Sequence, residues 1–108
     1  MNFNDYQQAA ASTAIYPEAM AVVYPTLGLA GETGEVAEKV KKTFRDHGGN
    51  FDDERRAAVA AELGDVLWYL AMTARDLGYT LDEVAQMNVD KLASRQQRHR
   101  LHGNGDNR

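Results

Sequence analysis

Apolar residues recur three and four positions apart along most of the chain, and nowhere do they alternate with polar ones as in a half-buried strand. Leu29, Val36, Val40 and Phe44 form one such stripe; Val59, Leu63, Val66, Leu70 and Leu77 form a second; Leu81, Val84, Ala85 and Leu92 form a third. The punctuation between them predicts four helices. Asn4, with Gln7 three residues later, reads as a capping box for a short first helix, which should fade near Ala14 because Pro17 disfavours helix at Tyr16. Pro25 and Thr26 open a second helix running to about Arg45, where the turn cluster His47-Gly48-Gly49-Asn50 stops it. Asp52 or Asp53 caps a third, Glu54 to Leu77, with Gly78 suited to the position after it. Thr80-Leu81-Asp82-Glu83 is another capping box, opening a fourth helix that reaches roughly Arg100. Short connections favour antiparallel neighbours. The expected fold is therefore all-α, an antiparallel bundle of about four helices over residues 1–100, followed by an irregular tail, 101–108.

Two acidic pairs break this pattern in the same way. Glu32-Thr33-Gly34-Glu35 lies on the second helix and Glu62-Leu63-Gly64-Asp65 on the third. At about 100° per residue, Glu32 and Glu62 sit at the edge of their apolar stripes, and Glu35 and Asp65 lie roughly 60° further round. Equal offsets do not by themselves make the pairs meet; the packing of the helices must do that. If it does, four clustered carboxylates cannot all stay ionised without a counter-charge, so either protons or hard cations must bind. Mg²⁺ suits such a site, since it takes carboxylate oxygens and water and bridges to phosphates, with Mn²⁺ able to substitute. The plainer reading is a solvated helix flank, with Glu35–Lys39 and Glu38–Lys42 as pairs four residues apart. A di-iron or di-manganese bundle needs Glu-x-x-His on two helices, and none of His47, His99 or His102 follows a glutamate at that spacing.

Composition narrows the classes further. With 108 residues the chain is one small domain, of a size for which oligomerisation helps to complete a core. There is no cysteine, so disulfides and thiolate ligands are excluded. A net charge of −4 argues against duplex nucleic acid as a partner, because no basic excess neutralises phosphates. Met1–Gln8 has no signal-peptide pattern, and the apolar run Ala19–Tyr24 is far too short to span a bilayer. A cytoplasmic protein without a membrane partner is expected.

The segments Leu29-Ala30-Gly31-Glu32-Thr33-Gly34-Glu35-Val36-Ala37-Glu38 and Glu62-Leu63-Gly64-Asp65-Val66-Leu67-Trp68-Tyr69-Leu70 resemble the MazG-like pyrophosphohydrolases, whose signature is E-x-x-E, a spacer, then E-x-x-D. The likeness continues through Asn88-Val89-Asp90-Lys91-Leu92 with Arg95 and into Gly105-Asp106-Asn107-Arg108. It implies hydrolysis of a nucleoside triphosphate between the α and β phosphates, with Glu32, Glu35, Glu62 and Asp65 as metal ligands. Glu35 is the glutamate expected to orient or deprotonate the attacking water.

Further residues are candidates for substrate contact, each with an ordinary alternative. Asn88 interrupts the stripe of the fourth helix, and a buried amide needs partners from substrate or core. Lys91, Arg95 and Arg98 follow on an adjoining face, suited to the β and γ phosphates or simply to the helix dipole. Tyr69 lies one turn after Asp65 and reaches the site edge. Trp68 points elsewhere, with Ala57, Ala61, Gly64 and Met72; this second apolar face makes the third helix hydrophobic nearly all round. It is expected to form the interface of a homo-oligomer, a dimer or dimer of dimers, where Trp68 either packs or stacks on a base. The competing class is a non-catalytic helical oligomerisation module holding a structural cation.

Overall fold

The computed structural model describes all 108 residues and contains helices but no strand. The elements are α1 (Phe3–Ala11), a 3-10 turn (Glu18–Met20), α2 (Val23–His47), α3 (Asp53–Asp76) and α4 (Leu81–Gln97). The long α2 and α3 make an antiparallel hairpin, the main packing of the chain. Gly48 and Gly49, at φ +60° and +80°, turn the chain out of α2, and the Gly49 N–H closes the end on the Thr43 carbonyl at 3.1 Å. Of the two candidate caps of α3, Asp52 serves, accepting from the Arg55 N–H at 2.9 Å. Gly78 follows α3 at φ +86°, and Thr80 and Glu83 form the expected capping box of α4.

The start of the chain differs from the expectation. Asn2, not Asn4, caps α1 by accepting from the Asp5 N–H at 2.8 Å. Asn4 and Gln7 are instead used across the fold. Gln7 is buried; its amide donates to the Ala71 and Tyr79 carbonyls at 3.1 and 3.2 Å and accepts from the Leu81 N–H at 3.0 Å. Asn4 accepts from the Asp82 N–H at 3.1 Å. Three backbone partners in a dry site hold an amide better than one exposed capping bond. This stitching docks α1 onto the junction of α3 and α4, around a small core of Ala10, Ala71, Met72 and Leu81.

The entry to α2 is strained. Val22 adopts φ +68°, ψ −51°, rare for a β-branched residue, and the Val23 N–H bonds to the Ala21 carbonyl at 2.8 Å in a γ-turn. The largely buried Asp76 side chain holds it in place, accepting from the Val22 N–H at 2.9 Å and the Tyr16 hydroxyl at 2.7 Å. Helix α2 thus begins at Val23, and Pro25 sits in its first turn, where no N–H is missed.

The four helices do not close into a bundle within one chain. Helix α4 leans on α1 and α3 rather than on α2. Only nine residues are buried, and several positions of the predicted stripes stay open: Phe44, Leu63, Leu77 and Leu92. The accessible surface is 7649 Å², against about 6,000 Å² for a compact chain of this mass. The radius of gyration is 16.7 Å, against about 13 Å. Met72, expected on an intersubunit face, is fully buried inside the chain, because α1 and α4 cover that end of α3. Helix α3 is long and apolar enough by composition alone to cross a membrane; it carries Glu62 and Asp65 at mid-length and packs along α2.

Candidate active site

The antiparallel register of α2 and α3 creates the site. The Tyr69 ring lies against the bare Cα of Gly28, where an added Cβ would fall 2.1 Å from it. Moving four residues forward on α2 and four back on α3 replaces that pair by Glu32 and Asp65. A carboxylate oxygen from each of Glu32, Glu62 and Asp65 lies within 4.8 Å of the others. Three of the four acids, Glu32, Glu62 and Asp65, therefore converge across the helix seam. The Glu32 pKa is raised by desolvation, then by the charges of Asp65 and Glu62 and a hydrogen bond with Glu62, with Glu35 adding a smaller push.

Glu35 itself is exposed and stands outside the three-residue cluster, although its offset on α2 equals that of Asp65 on α3. Lys39 enters unexpectedly. It lies seven residues after Glu32, hence only roughly 20° away in helical projection, and its ammonium is 3.6 Å from Glu62. The expected Glu35–Lys39 pair is thus replaced by an interhelical one. That near-coincidence of seven residues was the available signal in the sequence. Glu38 pairs with Lys42 at 3.8 Å and, more closely, with Lys41 at 2.7 Å.

Beside the carboxylates opens a cleft of about 340 Å³ lined by Thr13, Glu32, Asp65, Trp68 and Tyr69. Trp68 and Tyr69 meet edge-on at 5.0 Å, Tyr24 lies 6.3 Å from Tyr69, and Tyr16 stacks on Tyr24 at 4.8 Å. The Trp68 indole donates to the Thr13 hydroxyl at 2.9 Å. Trp68 therefore belongs to the cleft of its own chain and packs against α1's end, rather than facing outward with Ala57, Ala61 and Gly64. Those three are exposed. The Tyr69 hydroxyl has its pKa raised by burial first, then by Tyr24, Glu32 and Asp65, so it remains a neutral donor beside the acids.

The α4 candidates lie elsewhere in the chain. Asn88 is exposed rather than buried; it lines a separate hollow with Tyr79, Val84, Met87 and Lys91. Lys91 is 3.2 Å from Asp106. Arg95 is buried and also bound to Asp106. Arg98 donates to the Arg108 carbonyl at 2.6 Å, so of the six substrate candidates only Tyr69 and Trp68 adjoin the carboxylates within one chain.

The all-helical chain thus brings three acids of its E-x-x-E and E-x-x-D pairs together beside an aromatic cleft. The sequence profile of the MazG nucleotide pyrophosphohydrolase domain matches residues 25–100, and the chain belongs to that family. It is 47% identical to the Gene 37 protein of Mycobacterium phage L5 over 114 residues, covering 100% of both chains. No solved structure matches. The family is generally dependent on a divalent metal, and the donor set here fits one: oxygen ligands only, from three clustered carboxylates of which Glu32 has its pKa raised by desolvation and then by its neighbours' charges.

Proposed function

We propose that this protein hydrolyses nucleoside or deoxynucleoside triphosphates at the α–β phosphate bond, releasing a nucleoside monophosphate and pyrophosphate. The observation that carries this reading is the convergence of Glu32, Glu62 and Asp65 within 4.8 Å at the mouth of an aromatic cleft. These three would hold Mg²⁺, or Mn²⁺ in its place, with Glu35 completing the set from the rim. When bound, the metal neutralises polyphosphate charge and lowers the pKa of water. Glu35, exposed and outside the cluster, orients the attacking water and accepts its proton. Trp68 and Tyr69 form the wall against which a base is held, and Asn88 and Lys91 serve the nucleotide's phosphates, with the buried Arg95 behind them.

That last assignment requires a second chain. Lys91 and Asn88 lie on a helix that does not pack on α2, and the chain exposes about 1,600 Å² beyond a compact monomer's surface, about twice the share of one partner in a standard interface. We take the protein to be a homo-oligomer, a dimer or dimer of dimers, with the exposed Ala57, Ala61, Gly64 and Leu63 at its interface. Cytoplasmic nucleotide metabolism follows as the setting. A panel of ribo- and deoxyribonucleoside triphosphates, assayed for pyrophosphate release with Mg²⁺ and with chelator, tests the proposal. Metal-dependent release supports it; no release from any of them would leave a non-catalytic helical module with a structural cation.

A further inference from the structure

The tail Leu101–Arg108 is not helical but folds back as a loop tied by its own hydrogen bonds. The Arg108 guanidinium donates to the carbonyls of Gly105, Leu101 and Arg100 at 2.6, 3.1 and 3.3 Å, and Arg98 donates to the Arg108 carbonyl at 2.6 Å. Gly103 and Gly105, at φ +148° and +82°, supply the bends. The fold-back delivers Asp106 to α4. Its Oδ1 accepts from Lys91 Nζ at 3.2 Å and Arg95 Nη2 at 3.3 Å, and its carbonyl accepts from Arg95 Nη2 at 2.9 Å.

The burial of this triad is unequal. The Arg95 side chain is 6% exposed, whereas Asp106 is 83% exposed and Lys91 40% exposed. Arg95 Nε is buried without a partner, so the guanidinium depends heavily on Asp106 as its counter-charge. Arg95 is thus an internal post, and Lys91 presents its head to solvent. An ammonium has three donors; Asp106 takes one, leaving two for a ligand. The pairings with Lys91 first, then Arg95, hold the Asp106 carboxyl below its usual range.

We propose that Asp106 is a positioning residue: anchored on Arg95 and the Arg108-tied loop, it holds the Lys91 ammonium in one place for the polyphosphate. This rests on the reading that Lys91 contacts phosphate. A free lysine loses rotamer freedom when it binds; fixing it beforehand removes that cost, worth about three- to ten-fold in affinity. The loop's own ties, with the Arg95 bonds to the Asp106 carbonyl and carboxylate, fix the Asp106 backbone beside Lys91 and favour this role over a releasable plug.

Steady-state kinetics with Mg²⁺ and a triphosphate substrate test it. Asp106→Asn should raise KM about three- to ten-fold with kcat little changed, and Asp106→Glu should recover part of the loss. In Lys91→Ala/Asp106→Asn the second change should add nothing, because both act through one ammonium. Arg108→Ala, which unties the loop without touching Lys91, should shift KM in the same direction. An unchanged KM in Asp106→Asn, or additive effects in the double variant, would overturn the proposal. So would a lowered KM, which would make Asp106 a competitor of phosphate. If Lys91→Ala alone leaves KM unchanged, the phosphate role of Lys91 is what fails.

Discussion

The Lys39 ammonium lies 3.6 Å from the Glu62 carboxylate, bridging α2 and α3 at the edge of the acidic cluster. With side chains 41% and 18% exposed, the pair is worth less than about 1 kcal/mol as a surface bridge. Its larger consequence is for a bound cation, because Lys39 already supplies part of the neutralising charge. Lys39→Met should lower the melting temperature slightly in chelator. It should enlarge the rise produced by Mg²⁺, which then meets an uncompensated cluster. A smaller Mg²⁺ response in Lys39→Met, measured by thermal unfolding, would show that Lys39 supports metal binding rather than competing with it.

Glu35 and the clustered acids should separate experimentally. Glu32→Gln and Asp65→Asn should lose both turnover and the Mg²⁺-induced stabilisation, since they remove a ligand. Metal-free Glu32→Gln should be no less stable than the parent at neutral pH. The Glu32 pKa is raised in the fold, so its ionised form costs stability above the unfolded carboxyl pKa, and that cost disappears as pH falls below it. Glu35→Gln should lose turnover yet keep most of the metal response. Equal loss of metal response in Glu35→Gln would place it fully in the ligand set.

Much of this site could be read from the chain because helical periodicity is local. The angular offsets of Glu32, Glu35, Glu62 and Asp65 from their stripes follow from 3.6 residues per turn, and three of the four converge; that Glu35 stays outside while Asp65, at the same offset, does not was not legible in the periodicity. Tyr69 followed by the same rule. What was not legible depended on tertiary docking. Gln7 reads as half of a capping box until the α3–α4 junction offers it three backbone partners. Asn88 reads as buried until α4 is seen to leave α2. Met72 and Trp68 share a face with Ala61 by sequence, but α1 and its following segment cover only their end of α3. No periodic signal announces that cover.

Asp76 anchors the strained Val22 turn from 54 residues away. Burial opposes its ionisation, but hydrogen bonds from the Val22 N–H, Tyr16 and Arg75 prevail and its pKa is lowered. A depressed carboxyl contributes stability that is complete above the unfolded value of about 3.9 and fades as pH falls through the folded one. Asp76→Asn should therefore cost about 1–3 kcal/mol at pH 7, with the gap from the parent protein closing below roughly pH 4. Urea unfolding at both pH values checks this. A gap independent of pH would mean that the side chain's shape, rather than its charge, secures the turn.

Ala61→Glu places a carboxylate on the exposed small-residue face of α3. At a buried subunit contact, an unpaired ion costs several kcal/mol, about 3–5, so this variant should dissociate, whereas Glu38→Ala should not. Light scattering distinguishes them. An intact oligomer of Ala61→Glu would put the interface elsewhere. A folded, inactive monomer would show that the site needs the partner chain.

The central claim concerns which bond breaks, and phosphorus NMR of the first products reads it directly. A nucleoside triphosphate incubated with the protein and Mg²⁺ should yield monophosphate and pyrophosphate together from the earliest time point, with no diphosphate passing through. Orthophosphate as the first product, with nucleoside diphosphate accumulating, would contradict the account.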